Sequence, residues 1–294
     1  MRILVATDLS DSADEAIRQA HARAAAGDAL AMCFVMHNLQ PITPLFPQQT
    51  AVTIVDVAAL ETRVESAVRD RVVSLTGRPA DGFEVFVEQG VDYAEIVRRA
   101  SKWKADEIVV GSHGRTGLAH ALLGSVAERV ARYASCAVRV ARAGKHSGPI
   151  LAATDLSDPS LPAIAAARAE ATRVHAPLVA VHAVDVEPSF ASMAGLPFGI
   201  VPSTLAPEVV TQIEEAAATT LSTAMKSAGA TGEVSIVTGE AAPAIASEAK
   251  ARDARLVVIG TRGRTGLAHI ALGSVAERVV RTAPCSVLVV RAPA

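Results

Sequence analysis

The chain contains itself twice. Ala6-Thr7-Asp8-Leu9-Ser10-Asp11 returns as Ala153-Thr154-Asp155-Leu156-Ser157-Asp158, and the stretch from Gly111 to Arg132 returns from Gly260 to Arg281. The two longer stretches, 22 residues each, differ only at 112/261, 113/262, 121/270, 122/271 and 131/280. That period is a whole domain's length, beyond the roughly 20–50 residues of a solenoid repeat. With 294 residues and about 100–200 residues per domain, the chain reads as two copies of one domain, 1–143 and 148–294. They join near Ala143-Gly144-Lys145-His146-Ser147-Gly148, a short polar, glycine-bearing segment suited to a linker.

Each copy alternates short apolar runs with helical patterns. In the first, Ile3 to Ala6 and Leu30 to His37 read as strands, as do Phe83 to Glu88, Glu107 to Val110 and Cys136 to Val140. Between them, Ser12-Ala13-Asp14-Glu15 has capping-box spacing and opens an Ala-rich helix to about Ala26, stopped by Gly27. Helices are also expected over Val57 to Leu75, Val91 to Lys102 and Ser125 to Ala134. The second copy places strands at Ile150 to Ala153, Leu178 to Ala183, Glu233 to Thr238, Leu256 to Ile259 and Ser286 to Val290. Its helices start at Ser160, Glu208, Ala242 and Ser274. Strands separated by helices make parallel βαβ units, so each copy is an open, doubly wound α/β domain with a five-stranded Rossmann-like sheet. Such sheets bind ligands at the carboxyl ends of their strands.

Composition removes several classes of function. Half the residues are hydrophobic and 20% are charged, which excludes a disordered chain. The net charge of -2 argues against a nucleic-acid partner, since phosphate-backbone binding needs a cationic face. Cys33, Cys136 and Cys285 are odd in number and form no CxxC pair, so neither a disulfide framework nor a metal site is expected. The uncharged stretches 38–55 and 188–207 are broken by prolines and read as loops rather than membrane spans, and a cytoplasmic protein is expected.

The chemistry concentrates in one loop per copy. Gly111-x-x-Gly114, nine residues, then Gly124-Ser125 lies between a strand and a helix; Gly260, Gly263, Gly273 and Ser274 repeat it. Glycines let backbone turn or approach a ligand. The helix that follows presents unpaired amides and a positive dipole end to an anion. The Ser125 and Ser274 hydroxyls add a donor, and Arg115 and Arg264 could add charge. The plainer reading is a tight turn with a capping serine; its presence in both copies favours phosphate. No GxxxxGK[ST] occurs, and the first strand is followed by Thr7-Asp8-Leu9-Ser10 rather than GxGxxG, so neither a P-loop nor a nicotinamide site is expected. Asp8 and Asp155 end the first strands. A carboxylate there accepts from a ribose hydroxyl or base amine, or reaches phosphates through Mg²⁺; the alternative is a turn or helix cap.

Thr-Asp-x-Ser after the first strand, GSHGRTG…LLGSVAERV after the fourth and a Val-rich last strand resemble the universal stress protein family, in its ATP-binding branch with the fingerprint G-x2-G-x9-G-[ST]. The resemblance spans nearly the whole chain and implies an adenine nucleotide alpha hydrolase-like fold. It implies ATP, with Mg²⁺, at two sites. One would be formed by Ala6, Thr7, Asp8, Asn38, Gly111, His113, Gly114, Arg115, Gly124, Ser125 and Val126. The other would be formed by Ala153, Thr154, Asp155, Ala183, Gly260, Arg262, Gly263, Arg264, Gly273, Ser274 and Val275. Asn38 and Ala183, each following a histidine, would offer backbone groups to adenine. Ser112-His113 against Thr261-Arg262 could make the sites unequal. The resemblance also implies that the copies pair through their last strands as an intramolecular pseudo-dimer, leaves room for a homodimer of the chain, and implies a regulatory protein partner of unknown identity.

The expected function is a nucleotide-dependent regulator in the stress response. The alternatives are a slow ATPase or nucleotidyl or phosphoryl transferase, and an apo scaffold for another protein. No general base or catalytic lysine can be named, which weighs against an enzyme. His120 and His269 read as loop packing, His37 and His182 as pocket wall, and Glu128-Arg129 and Glu277-Arg278 as solvated helix faces, although an arginine near the phosphates is compatible with the pattern.

Overall fold

The computed structural model describes residues 1–37, 56–114, 123–185, 207–261 and 272–292. It divides into two compact units, Met1–Arg142 and Ala143–Ala294.

The first unit runs β1 (Arg2–Ala6), α1 (Asp11–Arg23), β2 (Ala29–Met36), α2 (Val57–Thr76), β3 (Glu84–Gln89), α3 (Asp92–Trp103), β4 (Glu107–Gly111), α4 (Ser125–Tyr133) and β5 (Ala137–Ala141). Its strands lie in the order β3-β2-β1-β4-β5, all parallel. β4 is buried along its whole length, as a strand covered on both faces must be. Ile3, Val5, Met32 and Val109 join Ile17 of α1 and Val68 and Val72 of α2 in one core cluster. α3 and α4 pack against one another, α3 on β2 and α4 on β5. Because the order reverses direction between β1 and β4, a crevice opens beyond their carboxyl ends.

The second unit repeats this with β6 (Ile150–Ala153), α5 (Pro162–Val174), β7 (Leu178–Val184), α6 (Pro207–Ser227), β8 (Glu233–Thr238), α7 (Ala241–Ala251), β9 (Leu256–Gly260), α8 (Ser274–Thr282) and β10 (Ser286–Val290). The order is β8-β7-β6-β9-β10, again parallel.

Two expectations about helix starts are corrected. Ser10, not Ser12, caps α1, its Oγ accepting from the Ala13 amide at 3.3 Å. Ser12 is already inside the first turn, and its hydroxyl accepts instead from the amide of His113 at 3.1 Å. α1 also stops at Arg23, short of Ala26, because Asp28 captures the Ala25 amide at 2.8 Å and bends the chain early. In the second unit the helix starts at Pro162, a residue suited to a first helical position. Ser160 lies in a preceding 3₁₀ turn, its hydroxyl 2.8 Å from the Ser157 carbonyl.

Candidate functional site

Beyond β1 the chain makes a turn that both units build in the same way. The Thr7 hydroxyl accepts from the Leu9 amide at 3.1 Å, and Asp8 Oδ1 accepts from the Ser10 amide at 3.0 Å and its hydroxyl at 2.6 Å. In the second unit Thr154 accepts from Leu156 at 3.0 Å, and Asp155 Oδ1 from the Ser157 amide at 3.1 Å and hydroxyl at 2.6 Å. These short polar side chains hold Leu9 at φ 64° and Leu156 at φ 65°, a left-handed conformation that leucine rarely adopts. Backbone strain held in place by its neighbours is a mark of functional turns. The sequence reading missed it, and the shared Thr-Asp-Leu-Ser was its only trace. The turn reading of the aspartates holds, and it does not displace the ligand reading, because a carboxylate can accept several hydrogen bonds.

The glycine loop faces this turn. An added Cβ at Gly111 would lie 2.6 Å from the Ser12 carbonyl oxygen, so the rim of β4 can approach α1 only without a side chain. At Gly114 an added Cβ would lie 3.1 Å from Asp8 Oδ2, which places the loop glycine directly against the aspartate. The loops are pinched at their bases by the Gly124 amide on the Ser112 carbonyl and the Gly273 amide on the Thr261 carbonyl, both at 2.8 Å. Gly124 and Gly273 are the N-caps of α4 and α8 and bring no side chain to cap them. The first-turn amides therefore face the crevice, an arrangement that attracts anions.

A cavity of about 440 Å³ results in the first unit, lined by Ala6, Thr7, Asp8, Gly111, His113, Gly114, Gly124, Ser125 and Val126 among the expected residues. In the second unit a cavity of about 220 Å³ is lined by Ala153, Thr154, Asp155, Ala183, Gly260, Gly273, Ser274 and Val275. Asn38, Arg115, Arg262, Gly263 and Arg264 lie outside the described residues, as do His120 and His269. His37 and His182 both line a cavity wall.

The strand register revises one equivalence. Ala6 pairs with Cys33 and Ala153 with Val181, so His182 answers to Phe34 and Ala183 to Val35, while His37 answers to Asp185. Val35, which the sequence reading did not name, lines the first cavity. Ile96 and Ile245 were also missed; each sits in the first turns of the helix after the third strand and packs into its cavity. Their equal spacing from the two glycine loops was the available signal.

The walls differ in polarity. Phe34 and Cys33 give the first cavity an apolar side, and burial, followed by nearby Glu88, pushes the Cys33 thiol up to about 12, leaving it neutral. In the second, His182 Nδ1 lies 2.8 Å from the Thr154 carbonyl, and the Thr154 and Ser160 hydroxyls share a hydrogen bond at 2.7 Å. Among the described residues no group of three or more His, Cys, Asp or Glu side chains could cage a metal ion, and no helix is long and apolar enough to cross a membrane.

The sequence profile of the universal stress protein family matches residues 1–142 and again 147–291. A universal stress protein of Mycolicibacterium smegmatis is 30% identical over 98% of this chain and 96% of its own. One from Mycobacterium tuberculosis is 36% identical over 200 residues, 64% of this chain; the match spans only 62% of that relative's length. Among solved structures, a universal stress protein of Archaeoglobus fulgidus shares 19% identity, with a TM-score of 0.62 over 99% of this chain and 96% of that one. A Pseudomonas aeruginosa protein of unknown function shares 20%, with a TM-score of 0.66 over 99% and 92%. At that identity the solved structures speak to the fold alone. With two successive family matches, each on one α/β unit, the chain belongs to the universal stress protein family as a tandem member.

Proposed function

We propose that each unit binds one adenine nucleotide, ATP with Mg²⁺, and that occupancy makes the chain a nucleotide-dependent regulator in the stress response. The observation that carries this reading is that both units set the same strained Thr-Asp turn against the same side-chain-free helix start, across a cavity at the sheet's switch point.

The amides of Ser125 and Val126, and of Ser274 and Val275, would hold phosphate oxygens, with the serine hydroxyls as further donors. Asp8 and Asp155 would accept from the ribose, since a carboxylate is repelled by the phosphates themselves. The backbone of Val35 and Ala183, at the ends of the second strands, would meet the base, with Ile96 and Ile245 packing on it. Mg²⁺ would supply charge neutralisation. With no cage of protein ligands among the described residues, phosphate oxygens and water would make up most of its shell.

Denaturing the purified chain and identifying the released nucleotide tests this directly: two per chain is expected with both sites filled. Added ATP-Mg²⁺ at 100 times its dissociation constant should stabilise the fold by about 2.7 kcal/mol. No released nucleotide and no thermal shift at millimolar ATP would overturn the reading in favour of a scaffold. Phosphate release abolished by Asp8→Asn together with Asp155→Asn would favour an enzyme.

A further inference from the structure

In the first unit the nucleotide cavity continues into an outer pocket of about 320 Å³, with which it shares His37, Asp92, Ser125 and Val126. The outer pocket adds Arg129 and Tyr93. Arg129 is four residues beyond Ser125 on α4, hence on the same face one turn away. Helical side chains lean toward the N-terminus, so its guanidinium is carried back toward the amides that face the crevice. It lies 5.1 Å from the centre of the Tyr93 ring, a cation–π arrangement that limits its rotamers, and among the described residues no carboxylate pairs with it. Asp92, beside Tyr93 at the start of α3, lines both cavities, its carboxylate 3.6 Å from His37 Nδ1.

The second unit has the same arginine and has disarmed it. Gly90 and Gly239 fix the equivalence: each has a positive φ, and the amide of each donates to the last residue of the second strand at 3.0 Å, Met36 in one unit and Val184 in the other. The next residue is Val91 in the first unit and Glu240 in the second, the N-caps of α3 and α7. Glu240 forms an ion pair with Arg278, the counterpart of Arg129. Tyr93 is replaced by Ala242, so that position offers the arginine no ring.

We propose that Arg129 binds the terminal phosphate of a nucleoside triphosphate, making the first unit selective for phosphate number while the second is not. The assignment rests on the nucleotide-binding reading. It follows from position: the shared residues Ser125 and Val126 would put the end of a phosphate chain at the border of the outer pocket, and among the described residues Arg129 is the arginine on that border. A guanidinium already held on a ring makes charge-assisted hydrogen bonds with less loss of freedom.

The test uses the full chain, titrated calorimetrically with ATP, ADP and AMP in the presence of Mg²⁺. One of two sites is expected to prefer ATP over AMP by roughly tenfold or more, as one charge-assisted contact implies. Arg129→Gln should bring that ratio close to one while leaving AMP affinity within about twofold. Val91→Glu should do the same without removing the arginine, by supplying the carboxylate that occupies its counterpart; Val91 is exposed, so folding is not at stake. Arg278→Gln should leave the ratio unchanged. If Arg129→Gln binds ATP and AMP with the wild-type ratio, or weakens both equally, the assignment is wrong and the nucleotide reading stands. If the wild-type chain binds none of the three, the reading itself fails.

Discussion

The two units solve the same sheet with different chemistry in the core and the same turn after the first strand. At the start of β4 Glu107 is buried, its Oε1 accepting from Arg139 Nε at 2.8 Å and its Oε2 lying 2.8 Å from Arg23 Nε. The equivalent positions in β9 and β10 are Leu256 and Leu288, both buried. Glu88 of β3, buried and paired with Arg98 and Arg99, has Val237 as its counterpart in β8. A buried ion pair and an apolar pair thus fill the same slots, which is what is expected if removing charges from water costs about as much as pairing them returns. The Thr-Asp-Leu-Ser turns, by contrast, agree within 1° in φ at Leu9 and Leu156 and within 0.1 Å in their hydrogen bonds. Packing has diverged within one polypeptide while this turn has not, and the turn faces the cavity where a ligand would be held.

The sharpest way to break that comparison is to strip one partner from the buried cluster. Glu107→Ala leaves two arginines facing a low-dielectric core and should destabilise the first unit by about 3–5 kcal/mol. Importing the second unit's apolar pair, Glu107→Leu with Arg139→Leu, removes one of the two arginines but keeps Arg23 at the buried position, so it should recover part of that loss. Denaturant unfolding followed by the fluorescence of Trp103, the chain's single tryptophan, reads the first unit separately. A double variant as unstable as the single one would show that the two sheets are not interchangeable.

At the rim the next largest effect is expected from Gly111→Ala. Its Cβ would meet the Ser12 carbonyl at 2.6 Å, where backbone rather than a flexible side chain must give way. Overpacking of this kind costs roughly 1–3 kcal/mol. It should also displace Ser12 from the His113 amide and weaken nucleotide binding in the first unit only. Unchanged binding stoichiometry and affinity would dissociate the rim geometry from the ligand.

What the sequence could and could not reveal follows the range of the interactions involved. The strands and most helices were legible, because burial on both faces writes continuous apolar runs and αL glycines such as Gly77 mark helix ends locally. The residues around each cavity were largely legible too, since the repeat set them side by side. The register between β2 and β7 was not: His37 and His182 look alike in the chain, and only pairing with β1 and β6 shows that Val35 is the partner of Ala183. The start of α1 was misplaced because Ser10 and Ser12 both suit a cap, and the amide that claims Ser12 is His113, far along the chain.

Smaller effects separate two positions with one backbone conformation. Lys104 and Asp253 end equivalent helices at φ 55° and φ 50°. Lys104 is exposed, so Lys104→Gly should stabilise by about 0.5–1 kcal/mol by removing the Cβ penalty. Asp253→Gly gains the same relief but loses the carboxylate that accepts from the Ser147 amide at 2.9 Å and sits 2.8 Å from His146 Nδ1. Thermal unfolding of the two variants should therefore shift in opposite directions.

The smallest effect is a matter of pH and belongs to the second unit alone. The backbone hydrogen bond from Ser147 first, then His146 and the Ser147 hydroxyl, hold the Asp253 carboxyl down at about 2. A carboxylate depressed in the folded state contributes stability that is fully present above its unfolded pKa, near 4, and is lost as the pH falls through its folded value. The contacts around Ser147 should therefore persist at pH 5 and give way between about pH 4 and pH 2, while the Lys104 amide, which donates to the Ala100 and Ser101 carbonyls, stays protected. Amide exchange of Ser147 against that of Lys104 across this window measures the difference. Asp253→Asn should remove the pH dependence, and equal exchange at both amides throughout would show that the clasp contributes nothing.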